Sequence, residues 1–205
     1  NSIGQMSCNP AIGGLGKGQL VKEVDALFGE MGVAIDETGI QFRILNSSKG
    51  AAVRSSRAQA DRDLYKARIQ KAVYSIENLT VIESEVSRLL HTGNVITGIA
   101  LADGSVLNSK AVILTTGTFL RGLMHTGEVQ TKGGRVGDSA SYTLSDSIRD
   151  LGLEMGRMKT GTPARIRSSS IDYSLTQEQP GDDPIRPFSF RTKYIKRPQI
   201  SCWLT

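Results

Sequence analysis

Three observations in the sequence predict an α/β fold. Two segments with apolar residues at helical spacing lie within the first 76 residues. They are followed by two short alternating segments, 86–90 and 95–101, whose tight turns predict a β-meander. A nearly continuous apolar run at 109–115 then predicts a buried parallel strand. This order is typical of the middle of a nucleotide-binding α/β domain that lacks its first βαβ unit.

The elements of the first half follow from local patterns. A helix is expected over 19–28 because its apolar residues recur at helical spacing and a glycine follows them. A short strand is expected over 41–45. The segment 55–76 predicts one long amphipathic helix with a basic outer face. The apolar residues that define these two helices are Leu20, Val24, Leu27 and Phe28 in the first, and Leu64, Ile69, Val73 and Ile76 in the second.

The second half alternates strands with irregular, glycine-rich chain. Strands are expected at 79–82 and 155–160, and a helix at 144–151. Beyond residue 166 the chain becomes polar and prolines interrupt it. We therefore expect a partial α/β domain at 1–166 and the start of an inserted second domain at 167–205.

Composition excludes several classes of protein. The 205 residues are 39% hydrophobic and 22% charged, which is too apolar for a disordered chain. Cys8 and Cys202 lie far apart and form no metal or disulfide motif, so a reducing, cytoplasmic compartment is expected. No apolar run approaches the roughly 18 residues of a membrane span. Because the chain starts at Asn1 within a motif-like segment, we expect a fragment of a larger protein.

Positive charge is concentrated in two segments. Residues 41–72 carry a net charge of +6 and residues 186–205 carry +5, whereas the whole chain carries only +5. Such basic segments on an acidic body favour a polyanionic partner, and a solvated helix face is the alternative for the first segment.

The glycine-rich segment 11–18 is expected to approach a ligand closely. Its glycines fit neither the phosphate loop of nucleotide triphosphatases nor the G-x-G-x-x-G turn, but they allow backbone amides to face a flat or charged group. Cys8 precedes this segment, where amides and a helix start would stabilise its thiolate. An inert buried cysteine and a flexible loop are the alternatives.

The apolar run at 109–115 ends in a Thr-Thr-Gly turn. At the carboxyl edge of a sheet, where α/β proteins bind ligands, a glycine allows the sharp turn. Preceded by a β-meander, this turn matches the corresponding segment of two-dinucleotide-binding flavoproteins. The sequence therefore favours an FAD-binding, Rossmann-like domain of that type.

Several segments together resemble one family. In chain order they are GQMSCNP at 4–10 running into GGLGKG, VKEVDAL at 21–27, GIQFRILN at 39–46, RAQADR at 57–62, LTTGTFLRG at 114–122, GGRVGD at 133–138 and RMKTGTPAR at 157–165. In this combination the chain resembles the glucose-inhibited division protein A family (GidA, also called MnmG), which modifies tRNA with FAD. The sequence departs from the family at Ala51, Ala164 and the pair Ser139-Ala140, where prolines are common.

The resemblance implies an activity and its partners. With an MnmE-like GTPase, in a heterotetramer, a family homodimer adds an aminomethyl or carboxymethylaminomethyl group to C5 of the wobble uridine. NADH and methylenetetrahydrofolate are the implied cosubstrates, and the compartment is the cytoplasm, or the mitochondrion for a mitochondrial member. No membrane partner is implied, and this fragment is expected to be inactive by itself.

The resemblance also implies site residues. Cys8 matches the proposed catalytic cysteine. The expected cofactor contacts are Asn9, Gly13, Gly14, Val86, Thr116, Gly117 and Ser141. Lys49, Arg54 and Arg57 are expected to contact tRNA phosphates. The alternatives are a folate- and FAD-dependent tRNA uracil methyltransferase, and a nucleic-acid-binding module without redox activity.

Overall fold

The computed structural model describes residues 2–6, 9–164 and 166–205. This part of the chain contains both helices and small sheets, which confirms the α/β class. They are β1 Ala11–Gly13, α1 Lys17–Ala26, α2 Glu30–Thr38, β2 Gly39–Leu45, β3 Ser55–Ala60, α3 Arg62–Tyr74, β4 Val86–Thr92, β5 Val95–Leu101, β6 Val106–Asn108, β7 Leu123–Thr126, β8 Val129–Lys132, α4 Thr143–Asp150, β9 Gln177–Gln179 and β10 Cys202–Leu204.

The chain divides into two compact units. The first comprises Asn1–Leu79 with Gly161–Thr205, and the second comprises Thr80–Thr160. The domain boundary expected near residue 166 stays a prediction. None of the helices in the described part of the chain combines the length and hydropathy needed to cross a bilayer.

The first unit is built on an antiparallel sheet in the order β1-β3-β2. One face of this sheet packs against the helices, because Phe42 and Ala58 on it are almost fully buried. Ile35 of α2 and Phe188 from the distant end of the chain complete the same core at 0% exposure. The segment after residue 180 is therefore an integral part of the core of this unit.

The long helix expected over 55–76 is wrong in its first part. Residues 55–60 form strand β3, which pairs with β1 on one side and β2 on the other. The helix begins only after Asp61, whose carboxylate accepts the backbone N–H of Leu64 at 3.2 Å as an N-cap. Leu64, which was expected to face inward, is 43% exposed, whereas its neighbour Tyr65 is buried. The small residues of 55–60 fit either element, so sheet pairing decided the outcome.

Helix α1 was predicted correctly, but its apolar stripe faces outward. Leu20, Val24 and Leu27 are 47–83% exposed, whereas Val21 and Asp25 are buried. A hydrophobicity pattern identifies the apolar face as the buried one. Here the inward face carries the carboxylate of Asp25, which accepts hydrogen bonds from the segment 189–190.

Two buried carboxylates fix the segment 188–190 to α1 and α2. Asp36 accepts the backbone N–H groups of Phe188 at 2.7 Å and of Ser189 at 2.8 Å. Asp25 accepts the hydroxyl of Ser189 at 2.6 Å and the N–H of Phe190 at 2.7 Å. Both carboxylates are 3% exposed, and their hydrogen bonds offset the cost of burying charge.

A cation supports the same connection. Lys22 Nζ donates to the carbonyl oxygens of Pro187 at 3.0 Å and Phe188 at 2.8 Å. Burial lowers the pKa of Lys22, while Asp36 and Asp25 act in the opposite direction. Burial also raises the pKa of Asp36, although hydrogen bonds from Phe188 and Ser189 partly counter it. The polar groups on the inner face of α1 are thus matched by donors and acceptors from the far end of the chain.

The second unit contains the predicted meander, with strand order β4-β5-β6, and helix α4. Leu89 of β4 packs against Leu144 and Ile148 of α4, and all three are at most 8% exposed. Ser147 Oγ also accepts the backbone N–H of Leu89 at 2.9 Å. The meander and the helix predicted at 144–151 are therefore confirmed.

Three expected strands are wrong. Residues 79–82, 109–115 and 155–160 are irregular, and Ile113 is 87% exposed. A strand needs a neighbour for its backbone hydrogen bonds, and no described strand pairs with these residues. Part of the glycine-rich chain expected to be irregular instead forms a hairpin of β7 and β8.

Candidate functional site

The glycine-rich segment joins β1 to α1 in a conformation that requires glycine. Gly13 and Gly14 have φ values of +86° and +100°, which side chains rarely tolerate. A Cβ at Gly13 would lie 2.2 Å from the carbonyl oxygen of Ser56. The backbone of β3 therefore approaches Gly13 closely, and its Ser56 carbonyl accepts the N–H of Gly14 at 2.9 Å.

The outer side of this segment is open. A Cβ at Gly14 or Gly16 would meet no atom within 4 Å, and Gly16 has a φ of +69°. Helix α1 begins directly after Gly16, with no side-chain hydrogen bond capping it among the described residues. Its N-terminus presents a partial positive charge, so the open loop is suited to an anionic or flat ligand.

Three of the predicted cofactor contacts, Asn9, Gly13 and Gly14, lie in the first unit. Gly14 is close to Ser55 of β3, whose hydroxyl donates to the Gly14 carbonyl at 2.5 Å. Asn9 lies just before β1, and its carbonyl accepts the N–H of Ala11 at 2.7 Å. The catalytic role expected of Cys8 falls outside the described residues and stays a prediction.

The predicted nucleic-acid contacts lie beside the same loop. Lys49 and Arg54 are exposed in the connection between β2 and β3, where Arg54 Nε donates to the Lys49 carbonyl at 3.0 Å. Arg57 lies on β3 opposite Gly13. Arg68, which belongs to the same basic segment, pairs instead with Glu30 and Glu37 at 2.8 Å and 2.6 Å.

In the second unit, Thr116 and Gly117 form a turn. The carbonyl of Thr116 accepts the N–H of Phe119 at 3.1 Å, and Gly117 has a φ of +56° with open space around it. Phe119 in turn contacts the other predicted residue, because its carbonyl accepts the N–H of Ser141 at 2.9 Å. The structure thus joins Thr116, Gly117 and Ser141 in one loop cluster.

Ser141 has an unused polar group in this cluster. Its Oγ is buried and has no hydrogen-bond partner among the described residues. A buried hydroxyl without a partner costs about 1–3 kcal/mol, and this one is available to hydrogen-bond a ligand. Val86 lies on β4 and is half-buried against the hydrophobic cluster that contains Leu89. Leu120 packs against the same cluster and forms a β-bridge with Ser141.

Sequence reasoning missed Arg121, which lies next to Ser141. Arg121 donates its N–H to the Ser141 carbonyl at 2.9 Å and pairs with Asp146 at 2.7 Å, while its buried Nε has no partner among the described residues. The Arg121 hydrogen bond lowers the pKa of Asp146. Arg121 has a φ of +44°, which is rare for a residue other than glycine. Nothing in the sequence around Arg121 predicts this backbone conformation.

Metal chemistry finds no support in the described residues. They contain no group of three or more histidine, cysteine, aspartate or glutamate side chains placed to hold an ion. Each unit by itself offers groups suited to an organic ligand with anionic groups: the glycine loop and helix start in the first, and the Gly117 turn with the unpartnered Ser141 hydroxyl in the second.

Comparison with known proteins agrees with an α/β protein of this kind. The model of the family "Glucose inhibited division protein A" matches residues 1–205. A Geobacter sulfurreducens protein named "tRNA uridine 5-carboxymethylaminomethyl modification enzyme MnmG" is 53% identical over 204 residues, which is 100% of this chain and 32% of that protein. The protein of the same name from Nitratiruptor sp. is 54% identical over 205 residues, 99% of this chain and 33% of its own length.

A solved structure agrees at the level of the fold. Aquifex aeolicus GidA in its form I crystal superposes with a TM-score of 0.89 at 46% identity, covering 98% of this chain and 35% of that one. The chain belongs to the glucose inhibited division protein A family. It spans about a third of the length of the curated relatives it matches.

Proposed function

We propose that this chain is part of an FAD-dependent enzyme that modifies C5 of the wobble uridine in tRNA. The observation that carries the proposal is the identity of 53–54% to two proteins named tRNA uridine 5-carboxymethylaminomethyl modification enzymes, across nearly every residue of the chain. Identity at this level extends through both compact units, so it includes both loop clusters described above.

The described residues fit FAD in two respects. The unpartnered Ser141 Oγ offers a hydrogen bond to a ligand, and the open Gly117 turn allows close approach of a flat ring or a phosphate. Val86, on the adjacent meander, supports the assignment to a Rossmann-like domain of the two-dinucleotide-binding type. FAD would supply the redox chemistry that side chains lack.

In this proposal the first unit serves the substrate. Cys8 is the proposed catalytic residue, and Asn9, Gly13 and Gly14 are proposed to contact the cofactor. Lys49, Arg54 and Arg57 bind tRNA phosphates, which position the nucleic acid without reading its sequence.

Other partners extend the proposal to the whole protein. The whole protein is proposed to form a homodimer and to bind an MnmE-like GTPase. NADH and methylenetetrahydrofolate are its proposed cosubstrates. We place the enzyme in the cytoplasm, or in the mitochondrion if it is a mitochondrial family member.

The cofactor assignment is tested on the full-length protein that contains this chain. The visible absorption spectrum should be that of a bound flavin. Ser141→Ala should weaken FAD binding about fivefold to tenfold, because one hydrogen bond to the ligand is lost. The exposed Ser139 provides a matched control, and Ser139→Ala should bind FAD like the wild type. A full-length protein without flavin would favour the nucleic-acid-binding module instead.

A further inference from the structure

Two arginines face each other across the sheet of the first unit. Arg43 on β2 and Arg57 on β3 are register partners in an antiparallel pair. Side chains in such pairs have Cβ atoms about 4.5–5.5 Å apart, and like charges placed there destabilise the sheet. The third strand of the row contributes Gly13, which supplies no counter-charge.

These two arginines differ from the other half-buried arginines of the described chain. Six arginines are half-buried, namely Arg43, Arg57, Arg68, Arg121, Arg135 and Arg197. The last four each pair with a carboxylate. Among the described residues, Arg43 and Arg57 have no such pair, and Arg43 makes only a long contact of 3.4 Å to the Pro180 carbonyl. Partly desolvated guanidinium groups without a counter-charge are uncommon, because burial of unpaired charge is costly.

The two arginines have different surroundings, because acidic side chains lie near Arg43. Arg43 borders a cavity of about 270 Å³ together with Glu178 and Asp182, and Asp182 is already occupied by the N–H of Ile44 at 2.6 Å. Arg57 lies on β3 opposite Gly13 of the glycine loop, and no described carboxylate pairs with it. The exposed Lys49 and Arg54 lie in the connection between β2 and β3, six residues after Arg43 and three residues before Arg57 respectively.

We propose that Arg43 and Arg57 together bind one oxyanion, a phosphate of the tRNA backbone. This rests on the proposed function. Guanidinium groups bind phosphate through paired N–H donors, so two preorganised arginines hold one phosphate in a fixed position. Lys49 and Arg54 are exposed, and we assign to them long-range attraction of the tRNA backbone. The pair therefore sets where the tRNA backbone lies on this unit, and the connection contributes mainly to long-range attraction.

The first experiment measures thermal unfolding of the full-length protein with and without inorganic phosphate. Phosphate should raise the Tm of the wild type, because it relieves the repulsion between the arginines. Arg57→Gln should unfold at or above the wild-type temperature in phosphate-free buffer and should lose the phosphate increment. Arg43→Gln should do the same. The exposed Arg88 on β4 is the matched control, and Arg88→Gln should keep the increment. An equal increment in all variants, or none in the wild type, overturns the proposal.

The second experiment measures tRNA binding over a range of salt concentrations. The double variant Arg43→Lys with Arg57→Lys keeps the charge, so the salt dependence should stay while affinity falls about tenfold. Lys49→Ala with Arg54→Ala should instead lower the slope of log K against log salt by about 1.5. If the lysine variant loses the phosphate increment but binds tRNA normally, the pair holds a small oxyanion and the tRNA assignment is overturned. Failure of the proposed function appears separately, as unmodified wobble uridine with the phosphate increment intact.

Discussion

Asp25 is a residue whose role could not be inferred from its position on an amphipathic helix. It lies on the buried face of α1, where its carboxylate binds Ser189, Phe190 and Arg191. Burial would raise its pKa, but the hydrogen bonds from those three residues outweigh burial and lower the pKa. Asp25 therefore stabilises the fold in its ionised form.

Asp25→Asn should reduce the free energy of unfolding at neutral pH by about 1–3 kcal/mol, because a charged acceptor is replaced by a group that also donates. The folded pKa lies below the ordinary value of 3.8, so the contribution is present above pH 3.8 and is lost as pH falls through the folded pKa. Denaturant unfolding at neutral pH and at about pH 2.5 should show the difference shrinking. The exposed Glu23 on the same helix is the control, and Glu23→Gln should change little. A difference independent of pH would contradict the ionised role.

Cys8 carries the chemical part of the proposal. Cys8→Ala in the full-length enzyme should abolish wobble-uridine modification and leave FAD bound, because a nucleophile is removed and no cofactor contact is lost. The flavin spectrum and the modification assay are measured on the same preparation. Unchanged modification would show that Cys8 is not catalytic.

At the scale of elements, patterns with local causes were predictable. The meander has glycine and asparagine in its first turn and alternating apolar residues in its strands, and α4 has a clear apolar face, so both were predicted close to their observed bounds. Strand β3 was not, because its small residues carry no period of their own and its pairing partners lie elsewhere in the chain. The segment 109–115 is apolar enough for a strand, but pairing depends on a neighbour that the described residues do not provide.

The connection from β1 to α1 depends on backbone conformations that favour glycine. Gly13→Ala should lower the free energy of unfolding by more than about 1 kcal/mol, since φ is +86° and the new Cβ would lie 2.2 Å from Ser56 O. Gly50 is a matched control, because its φ of −60° suits alanine and a Cβ there meets nothing within 4 Å. Gly50→Ala should be neutral or stabilise by up to about 1 kcal/mol. Equal effects in urea unfolding would contradict this account.

At the scale of the whole molecule, family membership was predictable from motifs spread over most of the sequence. What the structure adds is which predicted residues meet: Gly13 with Arg57 in one unit, and Thr116 and Gly117 with Ser141 in the other. These contacts join residues far apart in sequence, and neither spacing nor composition determines them. The pairing of Arg43 with Arg57 is of the same kind, because it depends on the register of β2 against β3.

We propose that the full-length protein modifies the wobble uridine of tRNA at C5. Mass spectrometry of tRNA nucleosides measures this modification, in cells that lack the gene and in the same cells complemented with it. The expected result is that an aminomethyl or carboxymethylaminomethyl group at C5 of the wobble uridine disappears on deletion and returns on complementation. Loss of a methyl group from another uridine would identify the methyltransferase alternative. An unchanged nucleoside profile would contradict the claim.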